Sequence, residues 1–332
     1  MTTLPPDLAE VLASLRVVQI PMRVRFRGVV VREAALIRGP AGWGEFAPFP
    51  EYDDVESSRW LAAAVEAAWV GWPEPIRDSV PVNATVPAVP AAEVAGVLQR
   101  YDGCMTAKVK VAERGQTLEN DVSRVAAVRD VMGPHARIRL DANGGWTVPE
   151  ATDALRRLSS YGLEYAEQPC ASVGELASLR VALARNGIDV LVAADESIRR
   201  ASDPMRVVRE GAADVIVVKV APLGGVRLAL DIARECGLPT VVSSALDTSV
   251  GIRAGLALAA ALPDLPYACG LGTLELMSGD VSHDSLVPLA GSIVLRDLKV
   301  EPDLLERRGA PKDRQRWWRD RVARCHAELA GF

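Results

Sequence analysis

Histidine and cysteine are scarce in this chain of 332 residues, with three of the first and five of the second. His135, His283 and His326 have no near neighbour of metal-ligand type, which argues against zinc chemistry of the common histidine and cysteine kinds. The cysteines, at 104, 170, 236, 269 and 325, are odd in number and unpaired in spacing, as expected of a reduced, cytoplasmic protein. No apolar run reaches the roughly eighteen residues of a membrane span, so no membrane partner is expected. Met1–Glu10 lacks a basic region followed by an apolar one, so no secretory signal is evident. Basic charge is not in excess: 38 Lys and Arg against 43 Asp and Glu leave a net charge of −5. That balance argues against a nucleic-acid binder held by phosphate neutralisation. Aromatics make up only 5% of a chain that is 49% hydrophobic, so the core is built of Ala, Val and Leu, and disordered and fibrous classes are excluded.

The length exceeds one ordinary domain and suggests a large fold with a smaller partner. Met22, Val24 and Phe26 alternate with Arg23, Arg25 and Arg27, the period of a half-exposed strand. A turn at Gly39–Gly42 separates two short apolar runs, and a breaker-free, alanine-rich helix follows Asp53-Asp54 to about Val70. Residues 1–80 therefore read as a small antiparallel sheet with helical cover, with Pro73–Pro81 as its linker to a second unit, 81–291. The segment 292–332 has a different texture again. There Pro311 can start a helix, and Trp318, Val322, Cys325 and Leu329 recur at spacings of 4, 3 and 4. The eight basic residues between Arg307 and Arg324 read as the solvated face of that docking helix.

From Pro81 the texture changes to short apolar runs alternating with amphipathic helices. The runs are 82–86, 107–111, 137–141, 163–167, 190–195, 214–220, 240–243 and 267–271. They look like buried parallel strands, and Lys110, Asp141, Glu167, Asp195, Lys219 and Ser243 near their ends are 24 to 31 residues apart, about one βα unit each. Eight such units predict a closed α/β barrel of the (β/α)8 type rather than an open sheet. In such a barrel, polar residues ending different strands converge on one pocket at the C-terminal face. Five recurring ionisable residues have no cheap structural explanation, because each desolvated charge is costly unless paired or metal-bound.

Asp141, Glu167 and Asp195, from three neighbouring strand ends, form a hard oxygen set suited to Mg²⁺, with positions left for water and substrate. Glu196 is the alternative to Asp195, and alternation lets only one of the two point inward. Lys108 and Lys110 lie two apart on one strand, so both face the same side. Lys219 approaches from four strands further round. Crowded cations and a nearby metal disfavour the charged ammonium, so a lysine pKa can fall toward about 7 to 8 and the amine can act as a base. Together these parts suit removal of a proton next to a carboxylate, with a metal stabilising the resulting enediolate.

The sequence resembles the muconate-lactonizing subgroup of the enolase superfamily, and within it the o-succinylbenzoate synthases of actinobacterial type. The resemblance covers nearly the whole chain. It is carried by Thr106-Ala-Lys-Val-Lys-Val111, Leu140-Asp-Ala-Asn-Gly-Gly-Trp146, Ala166-Glu-Gln-Pro-Cys170, Ala194-Asp-Glu-Ser197, Val217-Val-Lys219 and the stretch from Ser243 to Gly251. Gly42-Trp-Gly-Glu45 matches a segment of the family's capping domain. The resemblance implies a (β/α)7β TIM-like barrel with an α+β cap formed by the N-terminal region and the C-terminal tail. It also implies Mg²⁺ as cofactor, with Mn²⁺ as a possible substitute, and a small-molecule carboxylate substrate handled by a monomer or small homo-oligomer. The implied reaction is dehydration of 2-succinyl-6-hydroxy-2,4-cyclohexadiene-1-carboxylate to o-succinylbenzoate in menaquinone biosynthesis. By the family pattern Lys110 removes the α-proton and then helps the hydroxyl leave, Lys108 holds the carboxylate, and Lys219 faces the other side of the ring. Asp141, Glu167 and Asp195 would hold the metal, with Asn143 behind them.

Ser243 and Ser244 are expected as pocket walls, Gly270 as a close backbone approach, and the helix start at Thr248–Gly251 as a receiver of the succinyl carboxylate. Capping of that helix is an equal reading for the hydroxyls. Arg25 and Arg27 could meet the substrate's acids, although alternating solvent exposure explains them more cheaply. The same catalytic set would also serve an N-succinylamino acid racemase. The Asp-x-Asp segment of a dipeptide epimerase is absent from Cys269–Leu276, and no histidine is placed for a mandelate-type base. Outside the superfamily stand a Schiff-base aldolase using Lys219, for which three acids have no purpose, and a non-catalytic barrel, from which an acid or Lys110 should have been lost.

Overall fold

A computed structural model describes residues 6–200 and 203–329, so the outer ends of the expected cap and tail lie outside the described residues. Three antiparallel strands, β1 (Arg16–Phe26), β2 (Val29–Gly39) and β3 (Gly42–Phe46), form the cap sheet in that order. Arg27 and Gly28, both in the left-handed region, make the tight β1–β2 turn that matches the strands' twist. The helix Asp54–Val65 starts at Asp53, whose side chain accepts from the Glu56 N–H at 2.7 Å. It continues through a wider turn, Glu66–Val70.

A short strand β4 (Ser79–Pro81) leads into the parallel strands β5 (Ala84–Val86), β6 (Thr106–Lys110), β7 (Arg137–Asp141), β8 (Leu163–Glu167), β9 (Val192–Ala194), β10 (Val215–Val218) and β11 (Thr240–Val242). They neighbour one another in chain order. The eighth run closes the ring through single bridges instead of a ladder. Asn83 N–H donates to the Cys269 carbonyl at 2.9 Å on one side, and Gly270 N–H to the Val242 carbonyl at 2.8 Å on the other. A last strand, β12 (Ser292–Val294), pairs antiparallel with β4.

Alternation divides each stave between two environments. Ala107, Val109, Ile138, Leu140, Ala166, Ile216 and Val218 face outward into the layer of helices, while Tyr165, Ala193, Val217 and Val241 form a separate cluster inside the ring. That division explains runs that look apolar throughout yet end in charge. Arg139, fully buried inside the ring, bonds Glu164 and the Ala268 carbonyl and lies over the rings of Tyr165 and Tyr267.

The C-terminal helix Lys312–Leu329 returns to the cap. Trp318, Val322, Cys325 and Leu329 are buried against Phe46, Trp60 and Leu61, the stripe the spacing predicts. Its basic face has one exception: Arg321 is buried and donates to the Phe49 and Tyr52 carbonyls and the Ser57 hydroxyl. All five cysteines are free and buried. Among the described residues no helix is long and apolar enough to cross a membrane.

Candidate active site

The C-terminal ends of the staves meet the cap around a narrow, partly open cavity. Lys108, Lys110, Asp141, Asn143, Lys219, Ser243 and Ser244 line it from the barrel, with Thr85 and Thr273 beside them. The cap contributes Phe26, Arg27 and Phe49. Lys219, Ser243 and Ala245 also border a second narrow chamber, which runs between barrel and cap past Glu45, Asp247 and Trp60.

The charged side chains interlock. The Lys110 ammonium donates to Asp141 Oδ2 at 2.6 Å and to Asn143 Oδ1, and lies 5.2 Å from the centre of the Phe26 ring. Lys108 Nζ stands between Glu167 Oε1 at 3.0 Å and Asp141 Oδ2 at 3.4 Å. Lys219 Nζ donates to Asp195 Oδ2 at 2.6 Å, and Arg199 Nε holds the other Asp195 oxygen at 3.0 Å. Gln168, which sequence reasoning passed over inside its motif, accepts the backbone N–H groups of Asp195 and Ser197.

Burial sets the proton affinities. It lowers the Lys110 pKa, with the like charge of Lys108 adding to it against Asp141. It lowers Lys219 in the same way, with Arg199 assisting against Asp195. The fall expected for crowded lysines therefore applies to two of the three. Burial would also lower Lys108, but the two carboxylates it bridges outweigh burial and raise it. Asp141 and Asp195 are held low by their cationic neighbours despite burial, while burial and the Asp141 charge push Glu167 up to about 7.

Three carboxylates thus gather in this region without converging. Among the described residues no three Asp, Glu, His or Cys side chains lie close enough together to hold an ion in this arrangement. The donor set nevertheless fits a hard divalent cation in its chemistry: all three groups are buried oxygen donors, and two are already bridged by a cation, the Lys108 ammonium.

Several expectations change. Alternation lets only one of Asp195 and Glu196 point inward, but the chain leaves the extended conformation at Asp195 to start the helix Glu196–Arg199. Alternation therefore does not apply, and Glu196 Oε1 reaches the Asn143 amide at 3.2 Å and Arg199. Gly270 does not line the cavity. It packs beneath Ser243, whose Oγ would lie 2.5 Å from an added Cβ. Ser244 donates to the Gly270 carbonyl and meets the Thr273 hydroxyl at 2.7 Å.

The helix Ser249–Ala261 offers no free start to a succinyl carboxylate. Glu45 of the cap accepts from Thr248 N–H at 3.1 Å, Thr248 Oγ1 at 2.5 Å and Gly251 N–H at 3.0 Å, while Asp280 takes Ser249 N–H. Arg27, at the hairpin tip, is exposed as alternation expects, and it also lines the cavity.

A family model described as Enolase C-terminal domain-like matches residues 91–300, and one described as Enolase N-terminal domain-like matches 17–68. The o-succinylbenzoate synthase of Thermobifida fusca (strain YX) is 58% identical over 290 residues, covering 87% of this chain and 90% of that protein. The protein of the same name from Mycolicibacterium smegmatis is 55% identical over 98% of this chain and 99% of its own. Among solved structures, muconate lactonizing enzyme from Pseudomonas fluorescens, complexed with muconolactone, superposes with a TM-score of 0.75 at 20% identity, covering 90% of this chain and 98% of its own. N-succinyl Arg/Lys racemase from Bacillus cereus gives 0.72 at 19%, with coverage of 90% and 97%. At these identities the two structures speak for the fold, and the curated relatives for the family. This chain belongs to the enolase superfamily and, within it, to the family of the o-succinylbenzoate synthases.

Proposed function

We propose that this chain dehydrates 2-succinyl-6-hydroxy-2,4-cyclohexadiene-1-carboxylate to o-succinylbenzoate, a lyase step of menaquinone biosynthesis. One observation supports the residue roles above others: Lys110 and Lys219 belong to opposite sides of the ring and border one pocket, with Lys108 lining it beside them. In this reading Lys110 takes the proton α to the ring carboxylate. Its bond to Asn143 orients the amine. Once protonated, Lys110 returns the proton to the departing hydroxyl, so water leaves and the ring becomes aromatic. Lys108 holds the substrate carboxylate, and Lys219 faces the ring's other side, where an ammonium over a conjugated anion is electrostatically favoured. Ser243 and Ser244 serve as walls. Phe26, Arg27 and Phe49 of the cap exclude water above the ring.

Asp141, Glu167 and Asp195 would hold Mg²⁺, which when bound supplies positive charge where the carboxylate oxygens become more negative. Residues 1–80, 81–291 and 292–332 are the cap, the barrel and the returning segment in this reading.

Racemisation of N-succinylamino acids would use the same two lysines, and the names of the curated relatives favour dehydration. Direct assay decides. The cyclohexadiene substrate and N-succinylamino acids are offered side by side, with and without EDTA. Dehydration that EDTA abolishes is expected. Turnover of the amino acids alone, or dehydration indifferent to EDTA, contradicts the reading.

A further inference from the structure

The strand that carries Lys108 and Lys110 is gripped from outside the cavity by a buried ion pair. We propose that Arg124, with Asp121, is a positioning residue for Lys110, fixing the end of β6 so that the amine stays at the reacting carbon. This rests on Lys110 as the base. Both residues belong to the helix Leu118–Met132 and are 1% and 2% exposed. Arg124 Nη1 donates to the Lys110 carbonyl at 2.8 Å and to Asp121 Oδ1 at 2.8 Å, and Nε donates to the Val89 carbonyl at 2.7 Å. Arg124 Nη2 holds Gln116, whose amide in turn donates to the Ala88 carbonyl. Asp121 Oδ2 accepts the Ala112 N–H at 2.9 Å. Ala112 itself has φ +58°, a conformation alanine adopts only when its surroundings impose it.

The pair therefore grips the chain at Lys110, the last residue of β6, and two residues beyond it at Ala112, and ties both to the loop after β5. A buried ion pair is a poor device for stability alone, since apolar residues of similar size often do as well. Its hydrogen bonds go instead to the backbone that aims Lys110. Misplacing a catalytic group by about 1 Å costs on the order of 10²-fold in rate.

The same helix supplies its own control. Arg129 makes similar carbonyl bonds, to Gly133, Ala136 and Tyr161, and it does not border the cavity. The experiment compares Arg124→Lys, Asp121→Asn and Arg129→Lys with the wild type for kcat, KM, thermal midpoint and the isotope effect on α-deuterated substrate. Arg124→Lys is expected to lose on the order of 10²-fold in kcat at unchanged KM, with a larger isotope effect as proton removal becomes limiting. Asp121→Asn falls in the same direction by less. Arg129→Lys lowers the thermal midpoint and keeps wild-type kcat and isotope effect.

A wild-type kcat and isotope effect in Arg124→Lys overturns the proposal, as does an equal loss of kcat in Arg129→Lys. Should Arg124→Lys fail to fold, a wild-type kcat in Asp121→Asn overturns it. Absence of turnover by the wild type refutes the functional reading and the clamp with it; wild-type turnover beside an unaffected Arg124→Lys enzyme refutes the clamp alone.

Discussion

Glu45 ties the cap to the barrel, and removing it has a computable cost. Glu45→Ala deletes the acceptor of three hydrogen bonds from Thr248 and Gly251 and strands two backbone N–H groups at a helix start, that of Thr248 buried and that of Gly251 partly so. At about 1 kcal/mol net for each bond, the loss is about 3 kcal/mol. Unfolding entropy near 2.1 cal/mol/K per residue gives about 0.7 kcal/mol/K for 332 residues, so the thermal midpoint falls by about 4 °C.

Glu45 also has a pH signature. Burial, then the charge of Asp247, pushes its carboxyl from 4.5 up to about 8. The folded state therefore keeps a proton that the unfolded chain releases. Its contribution is complete below pH 4.5 and is lost as pH rises to about 8, by at most about 1.4 kcal/mol per pH unit. Glu45→Gln keeps an acceptor oxygen and cannot titrate, so its stability falls less steeply over that window. Glu167, raised in the same direction, leaves a residual slope. Thermal unfolding followed by circular dichroism between pH 4.5 and 8.5 reads both effects. Parallel curves for wild type and Glu45→Gln, or an unshifted midpoint for Glu45→Ala, refute the reasoning.

Two other side chains make separate tests. Partial burial would raise Glu33, but hydrogen bonds from Arg314 and Trp318 outweigh it and hold the carboxyl below its usual range. Its stabilisation is complete above the ordinary glutamate range and is lost as pH falls from there through the lowered folded pKa, so Glu33→Gln should unfold in acid with a shallower pH dependence. Tryptophan fluorescence follows this, and superimposable acid titrations would contradict it. Asp141→Asn should weaken Mg²⁺ binding by at least about tenfold in a calorimetric titration, and an unchanged isotherm would remove Asp141 from the ligand set.

The barrel was legible because each stave carries two messages at once. Ala107, Val109 and Val111 announce burial against helices, and Lys108 and Lys110 between them announce a second, polar destination. Legibility ended where the chain leaves regular structure. At Asp195 the strand turns into a helix, and the rule that one of two adjacent acids faces inward loses its basis. At Arg27 and Gly28 two left-handed residues break the alternation of β1 and bring Arg27 to the cavity mouth. The hydroxyls at Thr248 and Ser249 signalled a helix start, but nothing local could show that Glu45, 203 residues earlier, fills it. The eighth run reads as a strand from its apolar residues, yet it pairs only at Cys269 and Gly270 before the chain coils into Gly272–Leu276.

The most direct measurement is turnover of the cyclohexadiene carboxylate by Lys110→Ala, with Mg²⁺ affinity titrated on the same preparation. Loss of the amine should lower kcat by on the order of 10²- to 10⁴-fold while the metal isotherm is retained. Near-normal turnover in that variant would show that some other group removes the proton.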